Sequence, residues 1–425
     1  MNFFKNYSGL PKTVYVLFIA QVINRFGDFV MPFLTLFLTR HLGMSNKSAG
    51  AAVMLTILAS IPGAFAGGKI ADHYGRKKTH MIFQGLAGVA IFLCTFTRSP
   101  WVIILLLAIS AFFNGGVRPI MTAIMTDVLE PDQRKLGFSL TYLGINIGVA
   151  LGPLVAGFLF NEYLYMIFIG DAITTVIAVT LVGFYIKETL PSHLATESDL
   201  DRVIENAPLE EVESGTIISV LARRPQVVLF LVFNTFYSAT YTQLLFSLPI
   251  MMNHVFGDSG PTFFGTLMTI NAITVLAFTM IIAHFTHKWR PITGVVLGGI
   301  AYFIGFGMIS FSRILPLFWI STFIWTIGEI LVVTNFGVYI SNNTPQNFRA
   351  RISAVTSLSW AIGSMLGTYC IGIYMDATSV EAVWPFVSVI VMIGVLGMMG
   401  IRWYDSRPTK EHSRIATIYC DEIEE

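Results

Sequence analysis

Five ionisable side chains interrupt long apolar stretches of this sequence: Arg25, Asp28, Arg118, Asp171 and Glu329. A charge held in hydrocarbon is costly, so such residues are kept where they bind ions, relay protons or pair with one another. Glu329 lies near the middle of its apolar run, where a lone carboxyl carries a proton much of the time. Losing that proton to one side, or to a bound cation, is the step an ion-coupled exchanger needs. The structural alternative is a permanently neutral carboxyl that only packs helices. Arg25 and Asp28 are one helical turn apart and can pair on one face. They form either a self-contained ion pair or a place where cargo or proton competes for Asp28. Arg118, just before Pro119, is placed to oppose Glu329 or Asp127, or to extend its head group toward the membrane surface. Asp171 is nearer the other surface and suits a structural or a proton-carrying role equally.

The elements that position these charges follow from composition. The 425 residues are 54% hydrophobic and 12% charged, with a net charge of +1. Soluble domains carry roughly 25% charged residues, so a soluble multidomain enzyme, a disordered chain and a nucleic-acid binder are all excluded. Cys94, Cys370 and Cys420 offer neither a disulfide framework nor a CxxC metal site. A crossing helix needs about 20 mostly apolar residues. Twelve such runs are predicted: 13–38, 47–70, 79–97, 101–126, 136–160, 164–187, 226–253, 262–285, 291–311, 315–342, 350–374 and 381–404. The expected fold is therefore an all-α integral membrane protein. Its predicted organisation is a first bundle over 1–187, a polar linker over 188–225, a second bundle over 226–404 and a tail over 405–425. Of the 26 Lys and Arg, Arg40, Lys47, Arg98 and Arg313 fall in the segments on one side, and Arg25 and Arg118 within spans. All the others fall on the opposite side. By the positive-inside rule both termini and the linker are cytoplasmic.

The second half repeats the first at an offset of 215 residues without a gap. Gly50 meets Gly265, Arg98 meets Arg313, and Arg134 meets Arg349. Gly148, Gly152 and Gly157 meet Gly363, Gly367 and Gly372. Six spans per half make the two halves parallel, the arrangement of transporters with a site at the midplane between repeats.

Two motifs carry a resemblance. The loop after the second span reads Gly67-Gly68-Lys69-Ile70-Ala71-Asp72-His73-Tyr74-Gly75-Arg76-Lys77-Lys78. It resembles the G-x-x-x-D-x-x-G-R-K motif of the major facilitator superfamily, with His73 where Arg is usual. The fifth span carries Gly148, Gly152, Pro153 and Gly157, similar to the G-x-x-x-G-P-x-x-G-G motif of that family's drug:proton antiporter branch, with Ala156 in place of a glycine. Gly328-Glu329 in the tenth span is similar to a pair found in proton-coupled multidrug and peptide members. The second copy of the loop motif is eroded: Asp72, Gly75 and Arg76 map onto His287, Arg290 and Pro291. The resemblance implies twelve helices in two parallel six-helix pseudo-repeats and a secondary active transporter. It also implies a cytoplasmic latch of Gly68, Asp72, Gly75 and Arg76, with Asp72 at the start of span eleven and Arg76 paired to Asp127.

The predicted cargo is an amphipathic or cationic small molecule, exported against protons that reach Glu329, with Asp28 and Asp171 as further candidates. Polar, aromatic and amide residues on plausible cavity faces are Asn24, Asn114, Tyr142, Asn146, Asn234, Tyr237, Tyr241, Gln243, Asn271, Trp325, Asn335 and Trp360. Flexible and aromatic walls suit promiscuous binding. A transporter of a defined metabolite (peptide, sugar or lipid-like) and a non-transporting sensor on the same fold are the competing expectations. No phosphate loop G-x-x-x-x-G-K-[ST], nucleophile elbow or zinc pattern occurs, so no cofactor, no metal and no enzyme activity are expected. The expected partners are the small-molecule substrate, protons and the lipid bilayer of the cytoplasmic membrane, with the chain acting as a monomer.

Overall fold

The computed structural model describes residues 9–130, 133–189, 216–345 and 348–405. All regular elements among these residues are helical. Eleven helical stretches are long and apolar enough to cross a membrane. One of them, Pro225–Thr286, has 62 residues and would measure about 90 Å if straight, three times a hydrocarbon core. It turns back at Gly257–Ser259, where Gly257 adopts φ 55° and Gly260 packs on the backbone of Asn253. Divided there, the chain makes the twelve expected crossings.

Spans two to six are Asn46–Tyr74, Arg76–Leu93, Pro100–Val128, Arg134–Glu162 and Leu164–Tyr185. Spans eight to twelve are Gly260–Thr286, Pro291–Ile309, Leu315–Asn342, Arg349–Ala377 and Val383–Asp405. Spans one and seven are each built of two helices. Span one runs Lys12–Phe26, breaks, resumes at Val30–Leu36 and ends in a π-helical turn, Phe37–His41. Span seven joins Pro225–Tyr241 to Gln243–Phe256 at Thr242. The continuous first span expected from hydropathy is therefore corrected. The break starts at Gly27, where an added Cβ would lie 1.6 Å from Thr174 Oγ1 of span six. Only a glycine lets span six come this close. Thr242 is the residue 215 positions after Gly27, so the two breaks are repeat-related.

The helix contacts repeat as well. In the first half span one packs on five and six, two on four, and three on four and six. In the second, span seven packs on eleven and twelve, eight on ten, and nine on ten and twelve. The halves meet through spans two and eleven, five and eight, and one and seven. At two of these seams a glycine meets a carbonyl. A Cβ on Gly50 would lie 2.5 Å from the oxygen of Thr368, and one on Gly265 would lie 2.6 Å from that of Pro153. Likewise Gly372 abuts Asn46 O at 2.5 Å and Gly157 abuts Pro261 O at 2.6 Å. Each pair maps onto the other at the offset of 215. Without water between helices, such close backbone contact is what holds membrane bundles together.

Of the linker, the described part includes a short helix, Ile217–Ala222; its residues 190–215 and the tail 406–425 lie outside the described residues.

Candidate functional site

The two ends of the bundle differ. At the end carrying Gly43, the halves are sewn together. Arg40 of span one donates to Asn253 Oδ1 at 2.9 Å and to Asp258, and to Asn161 Oδ1 of its own half at 3.1 Å. Asp376 of span eleven accepts the backbone N–H of Asn46 at 2.9 Å and of Lys47 at 2.8 Å, plus the Asn46 amide at 2.8 Å. Asn161, the repeat partner of Asp376, donates to the carbonyl of Asp258. Deeper in, Thr35 bonds Leu245 O, Thr262 bonds Gly157 O, and Thr269 bonds Ala150 O at 2.6 Å. These hydrogen bonds joining the halves lie on this side of the bundle. The conformation is closed at the Gly43 end.

At the end carrying Gly75, the loop motif is assembled within the first half alone. Gly75 has φ 106°, which L side chains rarely adopt, and an added Cβ would strike Glu188 Oε2 at 2.4 Å. The Glu188 carboxylate accepts the backbone N–H of Arg76 at 2.7 Å, Lys77 at 3.1 Å and Lys78 at 3.4 Å. It thus caps the positive end of span three. Arg76 pairs with Asp127 of span four, as the resemblance implies, and donates to Ala123 O at 3.0 Å. Asp72 is 63% exposed, its nearest charge Arg76 at 3.8 Å. The expected contact of Asp72 with the start of span eleven involves side chains 349–351, which are not described. Gly68 faces open space.

Between these ends lie the charges at depth. Glu329 Oε1 accepts the Tyr241 hydroxyl at 2.9 Å, and Oε2 accepts the Asn271 amide at 2.8 Å. Asn271 also donates to Thr326 Oγ1 at 3.1 Å. Tyr241 ends the first helix of span seven, and Asn271 lies two residues from Thr269, whose bond crosses to span five. The carboxyl of span ten is thus wired to the break of span seven and to the seam between the halves. Tyr142 of span five is near enough to feel the Glu329 charge, as is Tyr302 of span nine.

In the first half, Arg25 donates to Asp28 at 3.2 Å. The Asp28 carboxylate lies beside the Met31 N–H and that of Asp171 beside the N–H of Val30, while the Phe29 N–H donates to Gly27 O at 2.7 Å. Two carboxylates therefore face the start of the resumed helix of span one, whose first N–H groups have no partners within the helix. The antiporter motif lies directly behind. A Cβ on Gly148 would touch Arg25 Cβ at 2.5 Å, one on Gly152 would touch Phe26 O at 2.4 Å, and Pro153 and Gly157 face span eight. Span five is clamped between the break of span one and the second half.

Arg118 is exposed and makes no ion pair with Glu329 or Asp127, because Asp127 is taken by Arg76 and Glu329 by neutral donors. Asn114 donates to Ser110 at 3.3 Å and is exposed, Asn146 donates to Tyr142 O at 2.9 Å, and Asn24 is half-buried. Trp360 is exposed about half a turn from Leu358 and Ile362. Five expected cavity residues are instead sealed inside the second half. Asn234 donates to Ser359, Tyr237 to Val295 O, Gln243 to Ala239 O and Asn335 to Leu331 O, while Trp325 stacks on Phe306. Asn234 and Tyr237 bond neighbouring helices, Gln243 and Asn335 bond the preceding turn of their own span, and all five side chains are buried in the packed bundle. Sequence reasoning missed Glu188, Tyr302 and Thr326. A carboxylate directly after span six was the one available hint for Glu188.

The family model of the Major Facilitator Superfamily matches residues 17–368. The chain belongs to this superfamily. Among its relatives is the uncharacterized MFS-type transporter YqjV of Bacillus subtilis (strain 168), 23% identical over 97% of this chain and 99% of that one. Another is a Na(+), Li(+), K(+)/H(+) antiporter of Planococcus maritimus, 26% identical over 79% of this chain and 83% of the relative. A crystal structure of the nucleoside transporter NupG has the same fold, with TM-score 0.76 and 14% identity over 92% of this chain and all of that one. As a superfamily member this multi-pass chain is a membrane transporter.

Proposed function

We propose that this superfamily member is a proton-coupled antiporter that exports amphipathic small molecules, cationic ones included, by alternating access. The observation that carries this reading is the Glu329 carboxyl at mid-bundle, held by Tyr241 and Asn271. A proton on Oε2 turns that oxygen into a donor and weakens it as the acceptor of the Asn271 amide. Loading therefore rewires a bond two residues from the cross-half contact of Thr269 with Ala150. That gives the proton a differential interaction with two arrangements of the halves, which any ligand-driven population shift requires. The excess of basic residues at the Gly75 end supports a cytoplasmic position for that end and both termini, and on that reading the conformation described is open inward. Asp72, Arg76 and Asp127 then act as the latch, which engages when that end closes. Asp28 and Asp171 act first as helix caps and secondarily as proton acceptors. The antiporter relative supports exchange against protons, and the aromatic side chains of Tyr142 and Tyr241 support amphipathic cargo.

The test is transport of a fluorescent lipophilic cation in proteoliposomes with an imposed pH gradient. The wild-type protein should move the dye only with the gradient present. Glu329→Gln should abolish gradient-driven movement while eluting as a monodisperse peak. Wild-type rates in the Gln variant would remove Glu329 from the coupling step.

A further inference from the structure

Span four presents two faces at different heights. Toward the Gly43 end, Trp101, Leu105 and Ile109 are exposed. Toward the Gly75 end, Asn114 and Arg118 are exposed. Asn114 is nine residues after Leu105 and therefore half a turn around the helix. The apolar face meets lipid, so Asn114 and Arg118 meet the interior. Asn114 is the repeat partner of Glu329, which places the two at equivalent depth. Arg118 is one turn further in, about 6 Å closer to the Gly75 end, and its own repeat partner, Val333, is 57% exposed. Ten residues separate Arg118 from Val128 at the helix end, so the guanidinium is anchored about 15 Å inside the span.

Every other charge at this depth is committed. Arg25 holds Asp28, the amides of the resumed helix hold Asp171, and Tyr241 and Asn271 hold Glu329. Arg118 makes no side-chain hydrogen bond or ion pair with the described residues. While the Gly75 end is open, water solvates it. When that end closes, the guanidinium must leave water, and an unpaired buried cation is strongly disfavoured. The second half offers little to receive it. Of its described acids, Asp258, Asp376 and Glu381 bond Arg40, Asn46 and His254 at the Gly43 end, and Asp405 accepts Tyr339 at 3.1 Å. Only Glu329 is at depth, and its two oxygens already have donors.

We infer that Arg118 recognises an anionic group on the cargo, and that the substrates include amphipathic zwitterions whose carboxylate or phosphoryl group pairs with Arg118 while their amine faces Glu329. This deepens the export reading and rests on it. A guanidinium offers two parallel donors that match such anions, and the pairing is strong where water is excluded. The cargo then supplies the counter-charge the protein lacks, and its release leaves Arg118 stabilising the conformation that is open inward.

The test uses two rhodamine dyes that differ only in a free carboxylate versus its methyl ester. Both are followed in proteoliposomes under the same pH gradient. In Arg118→Gln the ratio of zwitterion to ester transport should fall about tenfold or more, with Arg118→Lys between the two. An unchanged ratio in Arg118→Gln overturns the inference, whatever the absolute rates. If the wild-type protein exports neither dye, the export reading fails. Equilibrium binding to detergent-solubilised protein then still decides the role of Arg118: a selective loss of zwitterion affinity in Arg118→Gln supports it, and equal affinity in both proteins overturns it.

Discussion

Replacing Asp376 by alanine should tip the protein toward the conformation that opens at the Gly43 end. In the closed state its carboxylate accepts two backbone N–H groups and one amide at the start of span two, at 2.8 to 2.9 Å. Those donors belong to the other half, so the interaction exists only while the halves touch. It is a helix cap delivered across an interface. Deleting a side-chain cap costs about 1 kcal/mol in most hosts. Asp376 is exposed, and Ser45 caps the same helix through Ser48 N, so no larger figure is warranted. With RT near 0.6 kcal/mol, that is about a fivefold shift in the ratio of the two states. Ser99 and Ile314 are exposed repeat partners at this end, one on each half. Spin labels there, in a background lacking the exposed Cys370, report the separation by pulsed electron resonance. The long-distance population should grow about fivefold in Asp376→Ala and less in Asp376→Asn, which keeps an acceptor. Identical distance distributions in the wild-type and alanine proteins would refute the capping argument.

Two further outcomes follow from the seams. Asp72→Asn should slow turnover several-fold without lowering expression, because the largely exposed Asp72 has only the 3.8 Å pairing with Arg76 here and the proposed latch adds a contact when the Gly75 end closes; a full-speed Asn variant measured in the same proteoliposomes would argue against the latch. Gly265→Val should cut transport at least tenfold while Gly68→Ala does not, since a Cβ at 265 lies 2.6 Å from Pro153 O and one at 68 meets open space; comparable rates in the two variants would contradict the close seam between spans five and eight.

The architecture was legible in the sequence because lipid demands long apolar helices and the duplication repeats their landmarks at one offset. The pairing of Arg76 with Asp127 was legible too, since the motif and the length of span four bring them to one level. The partners of Glu329 were half legible. Tyr241 and Asn271 stood out as polar residues within spans, but so did Tyr237, Asn234 and Gln243, which turned out to be sealed. Helical spacing places a residue on its own helix, and which neighbour that face meets depends on tilt and kink. The break in span one shows the same limit. Gly27 is one of 36 glycines, and its role depends on Thr174, about 150 residues away. Asp171 looked like an isolated acid, because the amides it serves become free only once that break exists. Glu188 was invisible for a related reason: it meets Gly75 only after four intervening helices have packed.

The interruption at Gly27 to Phe29 has a mechanical meaning. A continuous rod would carry any twist at His41 down to Lys12, and the rim near Lys12 would move whenever the rim near His41 did. Severed at Gly27, the Val30–His41 part of the first span can travel with its neighbours as a separate lever. Two acids lie at its base, and Lys12–Phe26 stays seated. The same joint at Thr242 gives the opposite half an equal freedom, so each rim can part without forcing the other to follow.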